Sequence, residues 1–108
     1  MSIPQVTPEQ AKQRLDAGDA DLVLLDVREV EELALARIEG ATHIPMDEIP
    51  ASLTQLDRDA DYVVVCHHGH RSAVVCNFLL SRGFTRVANL RGGIDAWYHQ
   101  ADPSVGRY

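Results

Sequence analysis

Apolar positions along this chain fall into two rhythms. Leu22-Val23-Leu24-Leu25 and Tyr62-Val63-Val64-Val65 are short unbroken runs, whereas elsewhere apolar residues recur every three or four positions. An unbroken run too short for a helix reads as a strand covered on both faces, and the first of these closes on Asp26. The second run is the stronger signal, because its valines are β-branched and pack well on a pleated surface. Val87 to Leu90 reads as a last strand. Between the strands lie helical segments. Thr7-Pro8-Glu9-Gln10 combines a Thr N-cap, Pro at the first helical position and a Gln placed for a capping box, predicting a helix from Pro8 to Ala17 that stops at Gly18. Glu29 to Ala36 reads as helical, and Asp47 can cap a short helix toward Leu56. Ser72 to Arg82 carries Val75, Phe78 and Leu79 at helical spacing before Gly83, and a final helix bearing Trp97 follows Gly92-Gly93. Strands alternating with helices predict an α/β fold, a mainly parallel sheet with helices on both faces. Asp102 to Tyr108, with its Pro and Gly, predicts an irregular tail.

Length and composition narrow the picture without redirecting it. At 108 residues and 45% apolar, the chain is expected to form one domain with a single core. Sixteen acidic against ten basic residues give a formal charge of -6, and no basic patch is evident, so a nucleic-acid partner is not expected. No apolar run approaches the roughly 20 residues that span a bilayer, and the N-terminus lacks a secretion-signal pattern. No membrane association is expected. Two cysteines ten positions apart do not form a disulfide framework of the secreted kind, so reduced thiols and a cytoplasmic location are the expectation.

The chemistry concentrates after the strongest strand. In open parallel sheets, function gathers at the carboxyl ends of strands, where Asp26 and Cys66 both fall. Val63-Val64-Val65-Cys66-His67-His68-Gly69-His70-Arg71-Ser72 runs from strand to loop to helix. A loop in that setting can curl its backbone N–H groups inward as an anion cradle, with the positive end of the following helix beneath it. Gly69 supplies a position free to adopt positive φ. A thiolate at the centre of such a ring is stabilised, which makes Cys66 a candidate nucleophile rather than a strand cap. Cys66, His67, His68 and His70 are also competent zinc ligands. Zinc sites usually draw on separated pairs of ligands, however, and consecutive residues tend to diverge, while His43 and His99 stand alone in sequence. No metal site is therefore expected.

With strand, cysteine, glycine, arginine and helix in this order, CHHGHRS (Cys66 to Ser72) resembles the active loop of rhodanese-like sulfurtransferases, whose pattern is C-x-x-G-x-R-S. Leu24 to Pro45, LLDVREVEELALARIEGATHIP, resembles that family's upstream signature, and Asn89 to Trp97, NLRGGIDAW, its downstream one. The chain is identified on these three motifs as a single-domain member. The resemblance implies a five-stranded, mainly parallel sheet flanked by helices and a double displacement. In that scheme, Cys66 takes the outer sulfur of thiosulfate or another persulfide as a Cys66 persulfide, then passes it to a thiophilic acceptor, with no cofactor. A protein could serve as donor or acceptor. The alternative reading is a persulfide carrier or partner-binding module with little thiosulfate turnover.

The resemblance also assigns places to individual residues. His67, His68, Gly69, His70, Arg71 and Ser72 would form the substrate-binding loop, their N–H groups steadying the extra anionic sulfur as an oxyanion hole steadies developing charge. Arg71 would add charge at the loop's end, and His67 and His68 would sit on its rim. Asp26 and Arg28 match the family's D-x-R and would support the wall of the site, an ion pair of structural type. Cys76 reads as a core residue on the helix after the loop. One departure stands out: many relatives carry G-H-I where this sequence has Ala36-Arg37-Ile38. Dual-specificity phosphatases and arsenate reductases have related loops with five residues between Cys and Arg. Here four intervene, a shorter ring better fitted to one sulfur atom than to a tetrahedral phosphate.

Overall fold

The computed structural model describes residues 3–108. Its elements are β1 (Gln5–Val6), α1 (Pro8–Asp16), β2 (Leu22–Asp26), α2 (Val30–Leu33), β3 (Thr42–His43), α3 (Ile49–Ser52), β4 (Asp61–Val65), α4 (His70–Ser81), β5 (Val87–Leu90) and α5 (Gly93–Gln100). The five strands form one parallel sheet in the order β1-β5-β4-β2-β3. That is the expected five-stranded, rhodanese-like α/β architecture.

The central place of β4 explains its composition. Tyr62 and Val64 point into one apolar cluster with Ile49, Val75, Cys76, Leu79 and Phe84, while Val63 and Val65 point into another with Ala11, Leu90, Ile94 and Trp97. Alternate side chains thus reach opposite faces, and a strand buried on both must be apolar at every position. Helices α3 and α4 cover the first face, and α1 and α5 the second.

Local chemistry sets the helix ends. The capping box on α1 forms as the sequence predicts, with Gln10 N–H donating to Thr7 Oγ1 at 3.2 Å and Thr7 N–H to Gln10 Oε1 at 3.0 Å. The stretch from Glu29 to Ala36 is shorter in its helix than the pattern predicts, four residues as α2. The chain beyond is drawn into pairing with the tail: Ala36 bridges Gly106, and Arg37 N–H donates to Val105 O at 2.8 Å. The segment after Asp47 is likewise a relay of short pieces, two 3-10 turns around α3, with Pro50 inside it. The tail itself forms a 3-10 turn over Pro103–Val105, capped by the Asp102 side chain.

Candidate active site

Cys66 is the first residue after the central strand, and the chain needs four residues to enter α4 at His70. Gly69 is the N-cap of α4 with φ of 104°, a left-handed conformation that disfavours any side chain. This turn folds the loop back over Cys66, so that Gly69 N–H donates to Cys66 Sγ at 3.0 Å. Of the loop amides from His67 to Ser72, Gly69 is the one recorded in hydrogen-bond contact with the sulfur.

Ser72 Oγ lies 3.2 Å from Sγ on the other side and donates its own hydrogen to Asn89 Oδ1. A hydroxyl has one hydrogen and two lone pairs. In the thiol state, the sulfur's hydrogen therefore faces Ser72 Oγ. On ionisation, the hydroxyl is placed to turn its hydrogen toward the thiolate. Asn89 in turn donates to Gly69 O at 3.2 Å and to Gln5 Oε1 at 3.3 Å, tying the loop to β5 and β1. Asn89, like Glu32 and Tyr108, joins the site although the sequence motifs assign it no part there. Its signal was available: a buried amide on the apolar strand Val87-Ala88-Asn89-Leu90 must find partners.

The loop is welded from below to α5. Cys66 O accepts from Ile94 N–H at 2.8 Å and His67 O from Asp95 N–H at 3.1 Å. Gly93 makes this possible, since a Cβ there would press into the carbonyl groups of Cys66 and His67. The double glycine of the downstream motif thus serves the loop as well as the turn.

Arg71 sits at the loop's end, as expected, but its charge is committed. Nη1 and Nη2 donate to Glu32 Oε2 and Oε1 at 2.7 and 2.8 Å, a parallel two-bond fork. These bonds hold the Glu32 carboxyl down at about 2, well below its ordinary range, and push the Arg71 guanidinium further up. Tyr108 Oη donates to Glu32 Oε1 at 2.6 Å and accepts from Arg28 Nη1 at 3.1 Å. Arg28 is wholly buried, bonded to both oxygens of Asp26 and to Ala36 O, the last at 2.8 Å. Asp26 and Arg28 do form an ion pair behind the site, and Tyr108 links it to the loop.

His67 and His68 occupy the rim. The His67 ring stacks on Tyr108 with centroids 3.8 Å apart and an 8° tilt, and its Nε2 lies 2.9 Å from Tyr108 O. His68 is exposed, its ring 3.9 Å from that of His67. His70 opens α4 and is exposed, with no recorded side-chain partner. Cys76 is fully buried within the cluster beside α4, and burial, followed by the nearby Cys66 charge, pushes its thiol up to about 12. Arg37 points away to solvent, its nearest carboxylate Glu39 at 3.7 Å.

Cys66 thus lies between the end of β4 and the N-terminus of α4, with four residues between it and Arg71. Residues 7–100 match the rhodanese-like domain model, and the chain belongs to that family. It is 41% identical over 103 residues to the putative sulfurtransferase YtwF of Bacillus subtilis, covering 95% of this chain and 98% of that one. To the thiosulfate sulfurtransferase GlpE of Stutzerimonas stutzeri it is 33% identical, covering 88% of this chain and 84% of that protein. Among solved structures, it superposes on a rhodanese-like domain protein of Staphylococcus aureus with a TM-score of 0.81 at 35% identity, covering 88% and 91% of the two chains. Among the described residues, no helix is long and apolar enough to cross a membrane.

Proposed function

We propose that this protein is a sulfurtransferase that carries sulfane sulfur as a persulfide on Cys66. The observation that carries the reading is the position of Sγ, between Gly69 N–H at 3.0 Å and Ser72 Oγ at 3.2 Å at the mouth of α4. Both groups can donate a hydrogen bond to an anionic sulfur. The thiolate attacks the outer sulfur of thiosulfate, the S–S bond breaks with its electrons leaving on sulfite, and Cys66 becomes a persulfide. A nucleophile such as cyanide then takes the terminal sulfur, leaves as thiocyanate and returns the thiolate. No step needs a cofactor. Names among the relatives support the reading, since they include a thiosulfate sulfurtransferase.

Two observations favour a second form of the same chemistry, a persulfide carrier that exchanges sulfur with a protein and turns over thiosulfate slowly. The Arg71 charge that a dianion would seek is already satisfied by Glu32, and the sulfur is almost wholly covered, with Cys66 at 1% exposure. Intact mass spectrometry after thiosulfate treatment tests the shared step. One added sulfur, removed by cyanide and absent in Cys66→Ser, is the expected result. Persistence of the label in Cys66→Ser overturns the assignment. Steady-state turnover then separates enzyme from carrier.

A further inference from the structure

We infer that His67, His68 and Asp95 form a binding site for one divalent transition-metal ion of the zinc class on the rim of the loop. One ligand atom from each lies within 4.8 Å of the other two. By sequence alone no metal site is expected, because consecutive ligands diverge and separated ones are needed. The fold changes both premises. The rings of His67 and His68 lie side by side with centroids 3.9 Å apart, and α5 brings a carboxylate to them from 27 positions along the chain.

That carboxylate is fixed relative to His67 by backbone, because Asp95 N–H donates to His67 O at 3.1 Å. His67 is also prepared as a ligand. Its Nε2 faces Tyr108 O at 2.9 Å, an oxygen that can only accept, so Nε2 carries a hydrogen and Nδ1 is the nitrogen with which the neutral ring would ligate. This is the arrangement that orients metal-bound imidazoles, the second nitrogen donating to a carbonyl. His68 completes the set. It is exposed and, among the described residues, its ring makes no hydrogen bond, so it is free to swing out of the stack toward an ion. His99 stands behind, its Nε2 3.9 Å from Asp95 Oδ1, and is therefore not the isolated histidine its sequence position suggests.

Closing the ligand atoms onto an ion asks for a contraction of up to about 1.4 Å, since bonds of roughly 2.0–2.2 Å set tetrahedral ligand spacings of about 3.4 Å. Two imidazoles and one carboxylate suit Zn2+, Ni2+ or Cu2+ better than Mg2+ or Ca2+, which prefer oxygen. Three protein ligands leave the fourth position of a tetrahedral site for water or an anion. Cys66 itself is not a ligand in this site, because Sγ is engaged by Gly69 and Ser72 within the loop.

Calorimetric titration with Zn2+ alone tests the site in the full chain, reading binding and not sulfur transfer, so it is independent of the function proposed above. We expect one equivalent to bind wild type and Cys66→Ser with equal affinity. His68→Asn and Asp95→Asn should each weaken it at least tenfold, whereas His70→Asn should leave it unchanged. Titration with Co2+ should show no thiolate-to-metal charge-transfer band. Loss of binding in Cys66→Ser, undiminished binding in His68→Asn, or no binding by wild type at millimolar Zn2+ overturns the proposal. Should Asp95→Asn disturb α5, seen by circular dichroism, His68→Asn at its exposed position decides the question alone.

Discussion

Arg71 and Glu32 face each other across the mouth of the Cys66 loop in a two-bond fork, at 2.7 and 2.8 Å, with 39 positions between them in sequence. The pair fixes the end of the loop to α2 and uses two of the five N–H donors of Arg71. Its strength depends on Glu32 staying ionised.

Glu32→Gln should expose that dependence through pH. The folded carboxyl titrates at about 2 against an ordinary value of 4.5, so its contribution is complete above about pH 4.5 and is lost as pH falls toward 2. The contribution is on the order of 2 kcal/mol, discounted because Arg71 lies at a solvent-exposed edge. Urea unfolding of wild type and Glu32→Gln should differ by that amount at pH 7, with the gap narrowing below about pH 4.5 and closing only toward pH 2. A gap that stays constant with pH would show that the fork is not what Glu32 supplies.

Cys76 should take no part in sulfur transfer. A thiol pushed up to about 12 by burial remains protonated through the neutral range, and it is fully enclosed by the apolar cluster. Cys76→Ala should cost about 1 kcal/mol of stability, as small core truncations do, while retaining the thiosulfate-derived sulfur. Mass spectrometry of the variant checks this; loss of the label with an intact fold would give Cys76 a redox role.

Gly93→Ala should break the seam between loop and α5. Gly93 has φ of 65°, and an added Cβ would press into the Cys66 and His67 carbonyl groups. Left-handed backbone alone costs roughly 1–2 kcal/mol for a residue with a side chain, and the overlap adds to it. Thermal unfolding should show a drop of several degrees or more, accompanied by faster hydrogen exchange at the Ile94 and Asp95 amides. An unchanged melting temperature would mean that the seam yields easily.

Tyr108 should be visible from His67. Parallel rings at 3.8 Å place the imidazole in the shielding region of the phenol ring. The His67 ring protons should resonate upfield in wild type and in Tyr108→Phe, and return toward random-coil positions in Tyr108→Ala. Equal shifts in all three proteins would mean the tail does not rest on the loop in solution.

The sequence by itself determined the central strands, the order of the elements and the place of the chemistry. Leu22 to Leu25 and Tyr62 to Val65 declare themselves because burial on two faces leaves room only for apolar side chains, and Thr7-Pro8 and Gly69 because caps and left-handed turns demand particular residues. Local rules of that kind are written in adjacent positions. The two edge strands, Gln5–Val6 and Thr42–His43, were not, since two residues are too few to show a period; the family resemblance supplied their number but not their location. Only the tertiary structure decided which residues meet around Cys66. Glu32, Asn89, Asp95 and Tyr108 reach the loop from α2, β5, α5 and the tail, and all but Asn89 are unremarkable in their own segments. Their roles arise from the parallel sheet, which gathers the carboxyl ends of strands distant in sequence at one edge, where a polar side chain acquires meaning from partners that no local pattern names.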